Sequence, residues 1–154
     1  MSKLIIMCGA PGSGKSTWAA HYAETHNNVS IVSRDAIRYS LLKDDEHYFS
    51  HEDEVLNIFY SQIRNDLQQR MDVIADASHL SYKSRKALLA NVGKYYTELW
   101  AVYFRTPLET CYERNDLRSG RANVPHEAIR NMYLSMTDPK YDNWDYKRII
   151  YVKD

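Results

Sequence analysis

The apolar positions change period along the chain. Leu4, Ile5, Ile6, Met7 and Cys8 form an unbroken run, the pattern of a strand buried on both faces, over residues 3–8. Residues 16–26 switch to helical spacing, with Trp18, Ala19, Tyr22 and Ala23 on one face. Residues 29–33 alternate as a second strand, and residues 35–42 start a second helix. Val55, Phe59, Ile63, Leu67 and Met71 recur every four residues, the stripe of a long helix ending near Arg70. Residues 72–76 make a short apolar strand closed by an acid, residues 81–91 a helix stopped by Gly93, and residues 97–104 another strand. Thr106, Pro107 and Glu109 predict a helix start, with a Thr cap, Pro at the first helical position and Glu closing a capping box. A last helix begins at Pro125, with Ala128, Ile129, Met132, Tyr133 and Met136 on its buried side. Asp138-Pro139 stops it before a strand over residues 148–152.

Five strands separated by helices predict an α/β fold of three layers around a mainly parallel sheet. A chain of 154 residues makes a single domain, 1–154, and can bury about 70% of its unfolded surface. No apolar run is long enough to span a membrane. Met1-Ser2-Lys3 leads straight into the first strand, which speaks against a secretory leader. The two cysteines, Cys8 and Cys111, make no disulfide framework and predict reduced thiols and a cytoplasmic location. Twenty basic and 20 acidic residues leave a net charge of zero, which excludes a protein that coats long nucleic acid. Recognition of a strand end stays open, because a few placed cations suffice for it. Residues 44–54 carry Asp44, Asp45, Glu46, Glu52, Asp53 and Glu54 without Lys or Arg; a solvated loop and an acidic helix start are expected. Residues 114–123, polar, Arg-rich and broken by Gly120, are the candidate mobile insert.

The chemistry begins at Gly9-Ala10-Pro11-Gly12-Ser13-Gly14-Lys15-Ser16-Thr17, which fits G-x-x-x-x-G-K-[ST] between a buried strand and an amphipathic helix. Gly9, Gly12 and Gly14 let backbone N–H groups curl inward around oxyanions. Lys15 sets an ammonium against the outer phosphates, Ser16 offers a hydroxyl to Mg²⁺, and the following helix points its positive end at the same charge. The motif predicts binding of ATP or another nucleoside triphosphate with Mg²⁺, and by itself leaves kinase, GTPase, ATPase and motor functions open. Asp35 follows the second strand and so belongs at the same carboxyl edge of the sheet; Arg38 lies one helical turn on. There, a carboxylate can take an acceptor hydroxyl's proton and an arginine can hold a phosphate. The alternative is a helix cap and a surface ion pair. Asp76, at the end of the third strand, can hold Mg²⁺ through water, orient Asp35 and Arg38, or be a turn residue. Arg114, Arg118 and Arg121 occupy the insert, as charge-neutralising lid residues or as an exposed basic loop. The 13 tyrosines and three tryptophans can stack bases, but Trp18, Tyr22 and Tyr133 fall at core-facing helical positions and packing is the default; His79, near Asp76, is assigned to a surface turn rather than to the site.

Together these residues closely resemble the kinase domain of the bacteriophage polynucleotide kinase/3′-phosphatase family. More loosely, they resemble the small P-loop kinases that include zeta toxins and chloramphenicol phosphotransferase. The likeness runs through residues 9–18, Arg34-Asp35 with Arg38, the strand ending at Asp76, Arg114-Asn115 with Arg118, Val124-Pro125 and residues 130–136. It implies a five-stranded core of the adenylate-kinase kind with a small arginine-bearing lid near residues 114–124. It also implies Asp35 as general base, Arg38 on the phosphate 3′ of the accepting nucleotide, Arg118 on the triphosphate and transition state, and Val124-Pro125 near the terminal base. The chain departs from the family in three places. Ala36 replaces a second acid, Ala77-Ser78 replaces a Thr-Asn pair, and the lid is one residue longer before Val124-Pro125. No D-x-D-x-T motif occurs, so a separate phosphatase, alongside a ligase, is expected for any end repair. The activity implied is ATP-dependent phosphorylation of the 5′-hydroxyl ends of DNA or RNA. The alternatives are a kinase of a nucleoside, sugar or other small-molecule hydroxyl, and a non-catalytic ATP-binding module.

Overall fold

The computed structural model describes residues 2–153, apart from the side chain of Arg121; the lid role considered for that arginine lies outside the described residues. In chain order the elements are β1 (Lys3–Cys8), α1 (Lys15–Thr25), β2 (Val29–Ser33), α2 (Arg34–Leu41), α3 (Glu52–Gln68), β3 (Asp72–Asp76), α4 (Tyr82–Val92), β4 (Glu98–Phe104), α5 (Leu108–Asp116), α6 (His126–Leu134) and β5 (Arg148–Val152). Short 3-10 turns cover Gly120–Ala122 and Pro139–Tyr141. The sheet runs β2-β3-β1-β4-β5, and all of its pairings are parallel.

Alternate residues of β1 point to opposite layers, which is why the strand is apolar throughout. Leu4 and Ile6 pack with Phe59, Ile63 and Leu67 of α3 and Leu88 and Val92 of α4. Ile5 and Met7 pack on the other face with Ala19 and Tyr22 of α1 and with Trp100 and Phe104 of β4. A third cluster joins Ala10 of the loop after β1 to Cys111 of α5 and Ile129 of α6. The helix stripes follow the predicted spacing, with two adjustments. Met71 lies beyond α3, because the chain leaves that helix through Arg70 at φ 65°. In α6 Ile129 is fully buried while Ala128, Met132 and Tyr133 are half-buried; Met136, also half-buried, lies beyond the helix end at Leu134.

Three local expectations are corrected. Thr106 does not cap α5: its hydroxyl donates to the Ser13 carbonyl at 2.8 Å, and Pro107 stands at the N-cap with no side-chain cap. A tertiary acceptor outcompetes the local capping box. His79 is buried rather than exposed, with Nδ1 3.2 Å from the Met7 carbonyl oxygen. The acidic helix start stands, with Glu52, Asp53 and Glu54 in the first turn of α3, but Glu52 is not left to solvent: Arg34 and Arg38 pair with it. Among the described residues no helix is long and apolar enough to cross a membrane, and both cysteines are buried and outside any disulfide.

Candidate active site

The loop after β1 is closely held. Gly12 has φ 82°, and a Cβ there would meet the Cys111 carbonyl oxygen at 2.5 Å, so α5 leaves no space for a side chain. A Cβ at Gly9 would come 2.5 Å from Ser13 Oγ. The Gly9 N–H donates to the Ser78 carbonyl at 3.1 Å, which ties the loop to the turn after β3. Gly14 is the left-handed N-cap of α1, so Lys15, Ser16 and Thr17 form that helix's first turn. Ser13 Oγ is buried and has no hydrogen-bond partner among the described residues. An orphaned hydroxyl in a loop of this curvature, at a helix N-terminus, suits an oxyanion. The Lys15 ammonium donates to the Gly9 and Ala10 carbonyls at 3.0 Å each. Burial pushes its pKa below the ordinary lysine value, and the carboxylates of Asp76 and Asp35 oppose that shift.

The β2–β3 register places Ser33 opposite Asp76, so Asp35 and Asp76 leave the sheet at the same edge as the loop. The Ser16 hydroxyl donates to Asp76 Oδ2 at 3.0 Å. Burial raises the Asp76 pKa, with Lys15 and the Ser16 hydrogen bond pulling it back down. A hydroxyl beside one carboxylate, both hard oxygen donors, fits Mg²⁺ of the kind shared with substrate phosphates.

On the acceptor side α2 starts from a Ser33 cap, whose Oγ accepts from the Ala36 N–H at 3.1 Å. Asp35 is therefore free of the capping role, and its side chain is 67% exposed. Arg38 Nη1 donates to Asp35 Oδ1 at 2.5 Å, and the Tyr48 hydroxyl donates to the same oxygen at 3.2 Å. Arg38 is buried, not a surface partner. Its Nε donates to Glu52 Oε2 at 2.9 Å, its Nη2 to Glu52 Oε1, and its Nη1 also to the Tyr48 hydroxyl at 3.0 Å. Arg34 Nη2 reaches Glu52 Oε1 at 3.0 Å. These arginine hydrogen bonds, the Arg38 ones foremost, hold the Glu52 carboxyl below the usual glutamate range. A phosphate contact at Arg38 thus requires the guanidinium to exchange one of these partners.

Arg114 sits in the last turn of α5, with Nη1 3.4 Å from the Gly12 carbonyl oxygen. Together with Arg118, Trp18, His21, Phe104 and Val152 it lines a cleft of about 570 Å³ that also takes in Gly12, Ser13, Gly14 and Thr17. The buried Asn115 closes the segment that follows. Its Nδ2 donates to the Val124 carbonyl at 2.7 Å and its Oδ1 accepts from the Val124 N–H at 2.8 Å. Val124 packs with the Ala10–Cys111–Ile129 cluster, and Pro125 is exposed at the N-cap of α6.

The structure therefore gathers Lys15, Ser16, Asp76 and Asp35 at one edge, with Arg38 beside Asp35. Arg114 and Arg118 lie in the adjoining cleft, and Val124 and Pro125 on the α5–α6 side. Sequence reasoning gave no role in the site to Glu52, Arg34 or Tyr48, and did not see Asn115 as a clamp. The last two had a signal of sorts. Tyr48 is a polar-tipped aromatic between two acidic stretches, and Asn115 occupies a helical position one turn after Cys111.

Residues 4–139 match the family model described as AAA domain (AAA_33). The L-seryl-tRNA(Sec) kinase of Methanococcus maripaludis is 32% identical over 149 residues, covering 92% of this chain and 56% of that protein. A protein of Autographa californica nuclear polyhedrosis virus, named for polynucleotide kinase and RNA ligase activity, is 26% identical across 94% of this chain and 22% of its own length. The chain thus spans about half or less of these relatives. Among solved structures, the Pnkp1/Rnl/Hen1 RNA repair complex holds a chain that matches with a TM-score of 0.79 at 28% identity. That match covers 95% of this chain and 47% of the other.

Proposed function

The chain belongs to the AAA-domain family of P-loop kinases, and from that premise we propose that it transfers the γ-phosphoryl of ATP to the 5′-hydroxyl at the end of a DNA or RNA strand. The observation that carries the reading is an open carboxylate set against a half-buried cation. Asp35 is solvent-facing, yet its charge acts on both Lys15 and Asp76 across the phosphate cradle. A nucleotide-binding module has no use for such a group, whereas a transferase needs a base there.

The loop amides, Lys15 and the Ser13 and Thr17 positions would hold the triphosphate, and Ser16 with Asp76 would hold Mg²⁺. When bound, that ion supplies neutralisation of charge on the β- and γ-phosphate oxygens. Asp35 takes the proton of the acceptor hydroxyl as its oxygen bonds to the γ-phosphorus. The bond from that phosphorus to the bridging oxygen breaks, and ADP leaves. Arg118, with Arg114, offsets charge on the phosphoryl group in flight. Arg38 keeps Asp35 placed and offers a guanidinium to the phosphate 3′ of the acceptor; Val124 and Pro125 border the terminal base. A 5′-phosphorylated end is what a ligase consumes, so a ligase and a separate phosphatase are the partners this reading calls for.

The decisive assay is labelled ATP with Mg²⁺ and a panel of 5′-hydroxyl DNA, 5′-hydroxyl RNA, 3′-nucleoside monophosphates, nucleosides and sugars. Label should appear on strand 5′ ends. Asp35→Asn should keep ATP binding and lose about 10²–10⁴ in rate; unchanged turnover removes Asp35 as the base. The seryl-tRNA kinase relative favours a second reading, a hydroxyl carried on an aminoacyl RNA end. Label on seryl-tRNA, with none on 5′-hydroxyl strands, would select it.

A further inference from the structure

The acceptor side of the site carries aromatic surface that the phosphoryl chemistry does not use. Phe49 is 57% exposed and Tyr39 is 40% exposed. Both rings meet Tyr48 edge-on, at centroid distances of 4.8 Å and 6.0 Å. Tyr48 is fixed from behind: its hydroxyl bonds Asp35 and Arg38, and the Arg38 guanidinium lies 4.7 Å from its ring centroid. The same guanidinium is 5.7 Å from the Phe49 ring. An exposed phenylalanine is thus joined through one tyrosine to the carboxylate that faces the phosphates. The turn that presents it is built rather than slack. The Ser50 N–H and hydroxyl both donate to the His47 carbonyl, at 3.0 Å and 2.7 Å, and His51 Nε2 meets Glu46 Oε2 at 2.7 Å.

Beneath it Arg34 and Arg38 face Asp35 and Glu52, two cations against two anions, and the segment that carries Phe49 adds Asp44, Asp45, Glu46, Asp53 and Glu54 without Lys or Arg. A surplus of positive charge does not draw the acceptor here, and what the site leaves open to solvent is a π surface. Bases stack on such surfaces irrespective of sequence, because every base has a π face.

We propose that Phe49, buttressed by Tyr48 with Tyr39 alongside, is a stacking platform for a nucleobase within the first two nucleosides of the acceptor strand. The proposal rests on the polynucleotide reading above and deepens it: a sugar or polyol acceptor has no face to offer this surface. Tyr48 is a positioning residue in this scheme, since it sets both the Phe49 ring and the Asp35 carboxylate.

The test measures fluorescence anisotropy of labelled 5′-hydroxyl trinucleotides, one carrying all its bases and one abasic at its first two positions. Wild type, Phe49→Ala and Phe49→Trp are compared. Wild type should hold the base-bearing strand about tenfold more tightly, Phe49→Ala should lose that preference, and Phe49→Trp should keep it. Equal binding of the two strands by wild type, or a preference that survives in Phe49→Ala, overturns the platform. Phe49 is exposed, so folding of the variants is not at stake. Phosphorylation of the same strands separates the two claims. A stacking preference without 5′ phosphorylation sinks the acceptor reading and leaves the platform standing. Phosphorylation with no base preference in binding does the reverse.

Discussion

His79 carries a positive φ of 37° and a ring packed beside Phe59, with the cations Arg34, Arg85 and Lys15 acting on it. Burial first, and those charges after it, drive its pKa from the usual 6.5 to about 3. Between those values the unfolded chain binds a proton that the folded chain refuses, so stability rises with pH. The contribution is complete above about 6.5 and is lost at up to about 1.4 kcal/mol per pH unit as pH falls below it. Asp76, raised by burial, works in the opposite direction, so the His79 share must be isolated by difference. His79→Asn keeps a residue that tolerates positive φ and a donor for the Met7 carbonyl. Urea unfolding of both proteins at pH 7, 6 and 5 should show a shallower pH slope in the variant; parallel slopes would refute the assignment. Neither the burial of His79 nor the arginine pairing of Glu52 was legible. Their partners come from other elements, and nothing in a neighbouring residue announces them. The shared edge of Lys15, Ser16, Asp35 and Asp76 was legible for the opposite reason: each sits at a strand's carboxyl end or in the first turn of the helix that follows one, positions the parallel fold dictates.

Helix α5 shows where local signals mislead and where they suffice. Its acidic first turn was readable, but the expected Thr106 cap is absent, since that hydroxyl instead anchors the Ser13 carbonyl, and its last turn, Arg114 to Asp116, takes in the start of the stretch expected as a mobile insert. Capping rules compare local partners only, and here a loop 93 residues earlier in the chain supplies a better-placed acceptor. At its other end Asn115 acts as a buckle. Both of its amide atoms bond Val124, and Asn123 Nδ2 donates to the carbonyls of Asn115 and Arg118 at 3.3 Å and 3.1 Å. The arginine-bearing segment is therefore anchored at its two ends. Asn115→Ala would strip partners from the Val124 N–H and carbonyl, a loss of about 1–3 kcal/mol. Amide exchange across residues 116–124 should accelerate while β1 and β4 stay protected, and turnover should fall if Arg118 depends on this anchorage. Exchange unchanged across that segment would show that the buckle bears no strain. The Asn-to-Arg118 spacing was visible in the sequence, but the buckle was not, because the signal lies in a side chain folding back over nine residues.

At the scale of the whole molecule, the parallel direction of the strands followed from the helices between them, while the order β2-β3-β1-β4-β5 is decided by long-range packing. A trace of that order is present in the residues: the uninterrupted apolar run of β1 marks a central strand, and the alternating β2, with Ile31 exposed, marks an edge. What holds the two halves of the carboxyl edge together is a buried ion pair that no pattern separated from a surface charge. Arg85 shares the buried row of α4 with Leu88 and Val92, and its side chain is completely enclosed. Its Nε and Nη2 donate to Asp142 Oδ2 and Oδ1 at 2.7 Å and 3.0 Å. Nη1 donates to the His79 carbonyl at 3.0 Å, and Nη2 also reaches Thr137 Oγ1 at 3.0 Å. The Tyr146 hydroxyl donates to Asp142 Oδ2 at 2.7 Å. One guanidinium thus links α4, the turn after β3 that supports the phosphate loop, and the segment leading into β5. Removing only the negative partner leaves a cation in a dry interior, which costs about 3–5 kcal/mol. Asp142→Asn should therefore lower Tm by about 10 °C in a protein of this size. Arg85→Met should be comparably damaging, and the Arg85→Met/Asp142→Leu pair should cost clearly less than the sum of the single changes, because neither charge is left alone. Strict additivity in thermal and urea unfolding would mean that the two side chains contribute independently and that the carboxyl edge is held by packing instead.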